Sequence, residues 1–297
     1  PFKTLFRSYE IIEVKKVFIK RGQTMDKIAV LGPSGTFSDA AAEVYIKEKG
    51  YRKKDFFDTI DDVFYSIGST HNLGIVPIEN TLAGFVQRTL DLLLDRDVYI
   101  VGQLSIPVQF SLITNVEKLE DIKKLYVQFK SKEQCMKIIK KMTNAGIIIT
   151  ESNIESLNKF NEGEKGAAAI IPKYIYDSSK HKFGIRNVTD SENNRTRFVI
   201  LSSDKKDIKL NLDKDINVSI YVTNAENEPG VLYDLLKEFA INNINLVSIM
   251  SRPTKEALGK YNFFIEISGK VEDKEKILNT LKLIRKKHVI KILGFYQ

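Results

Sequence analysis

From residue 25 onward, short apolar runs alternate with stretches of helical spacing, and this alternation restricts the fold more than any other feature. KIAVLG is an apolar strand ending in glycine, and SDAAAEVYIKEKG is a helix with Ser38 available as its N-cap. LGIVPIEN is a second strand. A helix follows in FVQRTLDLLLD, where Phe85, Val86, Leu90, Leu93 and Leu94 share a face. LSIPVQFSLI, IKKLYVQF and GAAAIIP read as further strands. Such alternation predicts parallel sheets with helices on both faces, and ligands beyond the carboxyl ends of the strands.

The character changes at SSDKKDIKLNLDKD, a charged stretch with the composition of a linker. Beyond it, INVSIYVT alternates with Ile216, Val218, Ile220 and Val222 on one face. PGVLYDLLKEFAINN is a helix with proline near its start and Val231, Leu232, Leu235, Leu236 and Phe239 inward. INLVSIM and KYNFFIEISG are strands, DKEKILNTLKLIRKK is a second helix, and HVIKILGF is a last strand. The order βαββαβ is the ferredoxin-like unit. It leaves one sheet face to be covered by a partner, which predicts a regulatory dimer module.

Several function classes are excluded at this level. The formal charge is +8, but half of it lies in the first 24 residues, where six Lys/Arg accompany Glu10 and Glu13. The remainder shows no basic face with interleaved aromatics, so no nucleic-acid partner is expected. The single cysteine, Cys135, rules out an internal disulfide framework and a Cys-rich zinc site. In KEQCMKIIKKM it follows helical spacing with Ile138, Ile139 and Met142, so it reads as core. The three histidines lack metal-ligand spacing. No run spans a membrane, and the leader lacks the apolar block of a signal peptide. The chain is therefore expected to be cytoplasmic, with translation starting at Met25 and residues 1–24 outside the fold.

Three segments end strands in polar residues: GPSGTFS (32–38), PIENTLAG (77–84) and NNRTRF (193–198). In the first, Gly32 and Gly35 permit a tight turn, and Thr36 and Ser38 lie at a helix start. Unpaired backbone N–H groups there suit a carboxylate or phosphate. In the third, two guanidiniums flank a hydroxyl, an arrangement suited to an anion. Each segment has a structural reading as well: a turn with a cap, Glu79 and Asn80 capping the next helix, Arg197 as an ion-pair partner. On three strand ends of one α/β domain, they predict an anion-binding cleft.

GPSGTFSDAAA, GIVPIENTLAGFVQRTLDLL and N-R-TRF resemble, in order and separation, the signature segments of prephenate dehydratase. The tail resembles the ACT domain that follows in that family: Pro229-Gly230-Val231-Leu232, Asn245-Leu246, Ser251-Arg252-Pro253, KYNFFIEISG and ILGFY. The resemblance covers about Lys27 to Tyr296. It implies a two-lobed, periplasmic-binding-protein-like (type II) α/β catalytic domain at 25–205, followed by a linker at 206–214 and the ferredoxin-like ACT domain at 215–297. The first lobe would comprise 25–102 and 187–205, and the second 103–186.

The implied reaction expels carbon dioxide and water from prephenate to give phenylpyruvate, with no metal or organic cofactor. Thr196 would act near the leaving hydroxyl, polarised by Arg197, with Asn80 as the third catalytic group. Thr36, Ser38 and Thr81 would bind substrate carboxylate or hydroxyl groups beside Gly35 and Phe198. Glu79 would orient Asn80 or hold a shared proton. In the tail, L-phenylalanine is the expected effector, bound by Gly230, Val231, Leu232, Asn245, Ser251 and Arg252 between ACT domains paired into a homodimer or homotetramer.

The sequence departs from the family at Leu82, Ala83, Gln103, Val127 to Lys130 and Met250. At Met250 the family's glutamate would supply a charge for the effector, unless the position only packs at an interface. Two alternatives stand beside the main reading: arogenate dehydratase, and a non-catalytic amino-acid-sensing protein.

Overall fold

The structure, a computed structural model, describes residues 27–51, 53–225, 230–254 and 260–297. Residues 1–24, expected outside the fold, and Pro229 lie outside the described residues. The chain builds three sheets. The first uses β1 (Lys27–Leu31), β2 (Lys53–Phe57), β3 (Leu73–Asn80), β5 (Tyr99–Pro107) and β10 (Arg195–Ser202) in the order β2-β1-β3-β10-β5. A two-residue strand β4 (Gly84–Phe85) folds back on β3. Helices α1 (Phe37–Lys49), α2 (Ile60–Ser66) and α3 (Gln87–Asp95) connect these strands. β1, β2 and β3 run parallel, as the alternation predicts, whereas the returning β10 is antiparallel to both β3 and β5.

The second lobe is a sheet of β6 (Phe110–Thr114), β7 (Lys124–Gln128), β8 (Gly146–Thr150) and β9 (Ala167–Pro172), ordered β6-β9-β7-β8. Helices α4 (Phe129–Glu133), α5 (Met136–Ile139) and α6 (Asn153–Asn161) belong to it. LSIPVQFSLI is not one strand. It divides at Val108-Gln109 into β5 and β6, which lie in different sheets. The crossing is therefore later than the expected residue 102, because β10 pairs with β5 as far as Pro107. The two crossing segments run side by side, with the Val108 N–H donating to the Asn194 carbonyl at 2.8 Å. KEQCMKIIKKM also breaks, at Cys135, between α4 and α5. Cys135, Ile139 and Met142 are nonetheless buried in one core, and burial pushes the thiol up to about 12. Among the described residues, no helix is long and apolar enough to cross a membrane.

The tail is β11 (Asp215–Ala225), α7 (Val231–Ile241), β12 (Asn245–Pro253), β13 (Tyr261–Lys270), α8 (Lys274–Ile284) and β14 (Val289–Tyr296), the expected βαββαβ order. Its antiparallel sheet runs β12-β13-β11-β14. Ile216, Val218, Ile220 and Val222 pack under the helices with Leu235 and Phe239, but Leu232, expected inward, is exposed. The opposite sheet face is not left for a second copy. Tyr221, Phe264, Leu293 and Tyr296 join the core of the first lobe, packed with Leu90, Val199 and Leu201. The Tyr221 hydroxyl donates to the Leu90 carbonyl at 2.8 Å. Lys291 donates to the Leu94 and Arg96 carbonyls, closing the C-terminal end of α3. At about 1.5–3 kcal/mol per large side chain fully buried, these apolar groups supply the docking energy.

This docking explains the glycine of ILGFY. A Cβ on Gly294 would overlap the Ile100 carbonyl, backbone against backbone, so β14 reaches β5 only where no side chain intervenes. Gly294→Ala should therefore destabilise the folded chain by about 1–3 kcal/mol. Urea denaturation of both proteins checks this, and equal midpoints would contradict the close approach.

Candidate active site

Side chains on an extended strand alternate between its two faces. Along β10, Phe198 and Ile200 pack on the α1 side of the first sheet, and Val199 and Leu201 pack on the tail side. Thr196 shares the parity of Phe198, and Arg195 and Arg197 share the parity of Val199. The hydroxyl and the guanidiniums thus project from opposite faces. β3 reaches the same division by a different route. Its register with β10 slips by one residue, from Arg197↔Glu79 to Phe198↔Pro77, leaving Ile78 as a β-bulge. Without that extra residue Asn80 would share the face of Val76 and Ile78; with it, Asn80 turns towards Thr196. Pro77, which has no N–H for the ladder, sits beside the bulge, where a central strand tolerates it.

Asn80 is held in one orientation. Its Oδ1 accepts from the backbone N–H groups of Leu82 and Ala83 at 3.1 and 3.0 Å. Those groups can only donate, so the atom facing them is the oxygen and the amide nitrogen faces the other way. Nδ2 then donates to Thr196 Oγ1 at 3.0 Å, Asn194 Oδ1 at 2.9 Å and the Arg195 carbonyl at 3.1 Å. Because the Thr196 oxygen accepts from Asn80, its own proton points elsewhere and serves as a donor. The departures at Leu82 and Ala83 leave this arrangement intact, since their backbones perform the task.

Asn194 is fully buried and was not singled out by sequence reasoning, although it lies within NNRTRF. Its Nδ2 donates to Gln134 Oε1 at 2.7 Å, so the amide chain Asn80–Asn194–Gln134 runs from the first lobe into the second. Nearby, Phe37 packs edge-on against Phe110 and Tyr174 of the second lobe. A Cβ on Gly35 would lie 2.5 Å from Ile154 Cδ1, in the first turn of α6. The N-terminal turns of α1 and α6 therefore meet across the two lobes.

The remaining expectations divide. Thr36, not Ser38, caps α1: its Oγ1 accepts from the Asp39 N–H at 3.3 Å, and Ser38 is buried in the first turn. The Gly35 N–H does not await a ligand, because Asp39 Oδ2 accepts it at 2.7 Å while Lys54 binds the same carboxylate. Burial would raise the Asp39 carboxyl, but the Gly35 N–H and Lys54 hold it below its usual value. Thr81 has its hydroxyl on the backbone of Arg195, donating to the carbonyl at 3.1 Å, so its proton is already used. Phe198 is core, walled off from the cleft. The two guanidiniums lie on the sheet face opposite Thr196. Arg195 donates to the Ser105 Oγ and carbonyl, and Arg197 donates to Glu79, Gln103 and Glu266. Arg197 therefore does not polarise Thr196 from alongside, and Glu79 binds Arg197 instead of orienting Asn80.

In the tail, Gly230 takes φ 95° ahead of α7, a conformation that favours glycine. Gly230, Leu232, Asn245 and Ser251 are exposed and Val231 is partly so. Arg252, expected on the effector, points the other way and pairs with Asp91 of α3 at 2.7 Å. Met250 also faces inward, packed on the first lobe's core.

With this geometry in view, comparison with known proteins is specific. The family model described as prephenate dehydratase matches residues 28–206, and the ACT domain model matches 218–282. A prephenate dehydratase of Methanocaldococcus jannaschii is 35% identical over 277 residues, covering 89% of this chain and 95% of that one. The crystal structure of the prephenate dehydratase from Staphylococcus aureus superposes with TM-score 0.74 at 26% identity, covering 91% of this chain and 100% of that one. An Arthrobacter aurescens prephenate dehydratase in complex with L-Phe, at 24% identity, has the same fold, with TM-score 0.75 over 91% of this chain and 89% of that one.

The orientation of Asn80 has a direct test. Asn80→Asp keeps the shape but replaces the donor with an acceptor, which would capture the Thr196 proton and repel an anionic ligand. Turnover should fall by about 100-fold, the scale of losing one oriented donor. Steady-state kinetics beside Asn80→Ala checks it, and a fully active Asn80→Asp would overturn the orientation.

Proposed function

The chain belongs to the prephenate dehydratase family, with an ACT domain behind the catalytic region, and from that premise we propose that Thr196 is the donor to the leaving hydroxyl of prephenate. The enzyme removes carbon dioxide and water from prephenate to form phenylpyruvate, a step of phenylalanine biosynthesis. The bond to the ring carboxylate breaks, its electron pair enters the ring, and the C–O bond opposite breaks as aromaticity forms. Negative charge grows on the departing oxygen, and a preorganised donor there stabilises the transition state more than the ground state. A threonine hydroxyl is too weak an acid to be the final proton source, so Thr196 acts by hydrogen bonding, and solvent supplies the proton. The observation that carries this reading is the 3.0 Å bond from Asn80 Nδ2 to Thr196 Oγ1, in which the Thr196 oxygen accepts and its own proton is left to donate. With both NNRTRF guanidiniums on the opposite face of the sheet, the substrate carboxylates fall to the cleft between the N-terminal turns of α1 and α6, beside the Thr36 hydroxyl.

L-Phenylalanine regulates the enzyme by feedback through the tail. The Arthrobacter relative with L-Phe bound supports this, as does the exposure of the Gly230 turn, Asn245 and Ser251. β12 is the edge of the tail's sheet and exposes Val247 and Ile249, which supports pairing of two tails along that edge.

Spectroscopic assay with prephenate and arogenate separately tests the reaction. Prephenate should be consumed in preference, and Thr196→Ala should lower turnover by at least ~100-fold with a nearly unchanged KM. Wild-type turnover in Thr196→Ala would remove the assignment, and preference for arogenate would move the substrate to the amino analogue.

Met250 gives a second test. Its side chain packs against the first lobe, so a glutamate there would bury a carboxylate in an apolar contact. Met250→Glu should lower the melting temperature by several degrees, about 1–3 kcal/mol, without tightening phenylalanine binding. Calorimetric titration together with thermal unfolding checks both parts.

A further inference from the structure

The back of the active pair is clamped by the tail. Arg197 and Glu79 are the chain neighbours of Thr196 and Asn80, and they project from the opposite face of the sheet. All five N–H groups of the Arg197 guanidinium are used. Nε and Nη2 donate to Glu79 Oε2 at 3.2 and 2.9 Å, Nη1 donates to Gln103 Oε1 at 3.3 Å, and Nη1 and Nη2 reach the two oxygens of Glu266 at 2.8 and 2.6 Å. A planar fork saturated in this way has one position.

Glu266, on β13, is 2% exposed, and its cation comes from the catalytic region. Every other strand of the tail's sheet donates to it: Ser219 of β11 at 3.2 Å, Ser248 of β12 at 2.9 Å and Tyr296 of β14 at 2.9 Å. Burial alone would raise its carboxyl, but Arg197, Tyr296 and Ser248 more than offset this and hold it below its usual value. Burial would likewise lower Arg197, and its bond to Glu266 raises it above its usual value. Desolvation cancels most of what a buried ion pair gains, so this pair adds little to docking beyond the apolar contacts around it. What it supplies is direction.

We propose that Glu266 is a positioning residue for the dehydratase site, contributed by the regulatory tail: the Glu266–Arg197–Glu79 clamp sets the strand segments that aim Thr196 and Asn80. Ser248 lies on β12 three residues before Ser251, so a shift of β12 on effector binding reaches Thr196 through Ser248, Glu266 and Arg197. This deepens the reading of Thr196 as donor and rests on it.

The test uses the full chain. Glu266→Gln keeps the shape and loses the charge. It should remain folded with KM near wild type, and kcat should fall roughly tenfold to a hundredfold, the scale of a misplaced catalytic group. Inhibition by phenylalanine should weaken several-fold although calorimetry finds it still bound. Glu266→Asp, which restores the charge, should recover part of kcat. Wild-type kcat together with an undiminished phenylalanine response in Glu266→Gln would overturn the proposal. If Glu266→Gln does not fold, Ser248→Ala and Tyr296→Phe each remove one donor and leave the ion pair. Either should lower kcat at constant KM, and no change in both would be equally fatal. Amide hydrogen exchange over 76–81 and 195–199 is independent of chemistry. Faster exchange in the variant supports the clamp, and unchanged exchange overturns it, even where a wild-type chain inactive on prephenate had shown the functional reading to be the one at fault.

Discussion

Neighbouring residues on an extended strand must face opposite sides of its sheet, and on β10 that constraint separates two tasks. Thr196 enters the cleft between the lobes, and Arg197 enters the interface with the tail. The bulge at Ile78 brings β3 into line, so that Asn80 follows Thr196 and Glu79 follows Arg197. The cleft side of the sheet and the interface with the tail are thus one peptide bond apart. No long chain of intermediates is needed between the two.

The period of the apolar residues was enough to read the βαββαβ tail, because each strand and helix there buries a regular face. It was equally enough to place Thr196 and Arg197 apart. As a cluster of donors NNRTRF hides this separation, and the alternation through Phe198 to Leu201 is the signal that reveals it. Glu79 and Asn80 are a harder case, since the bulge reverses the parity that simple alternation predicts. Pro77 in a central strand was the available warning. LSIPVQFSLI carries no periodic mark of its division, since the break is imposed by which sheet each half joins. The cover over the tail's second face was not legible at all. Tyr221 and Phe264 read as ordinary strand residues until Leu90 and Val199, far away in sequence, are seen against them.

Apolar contact and charge play different parts at this interface. Tyr221, Phe264, Leu293 and Tyr296 hold the tail to the first lobe without specifying direction, since hydrophobic burial is roughly proportional to area. The ion pairs Arg197–Glu266 and Arg252–Asp91 select one alignment among those that burial alone would allow. Arg252 shows the same economy, for it lies in the segment expected to meet the effector and is instead committed to α3. The strand β12 thus has one side exposed and the other already attached to the catalytic region.

Regulatory domains are often described as portable, gained or lost by fusion and truncation. The face of this tail that covers the first lobe argues otherwise for the present chain. Removing residues 215–297 would bare Leu90, Val199 and Leu201 to water and leave the Arg197 guanidinium without its strongest partner. Truncation would yield a damaged protein rather than an unregulated enzyme. A lineage under selection to escape feedback would have to alter the effector surface residue by residue while retaining the whole tail.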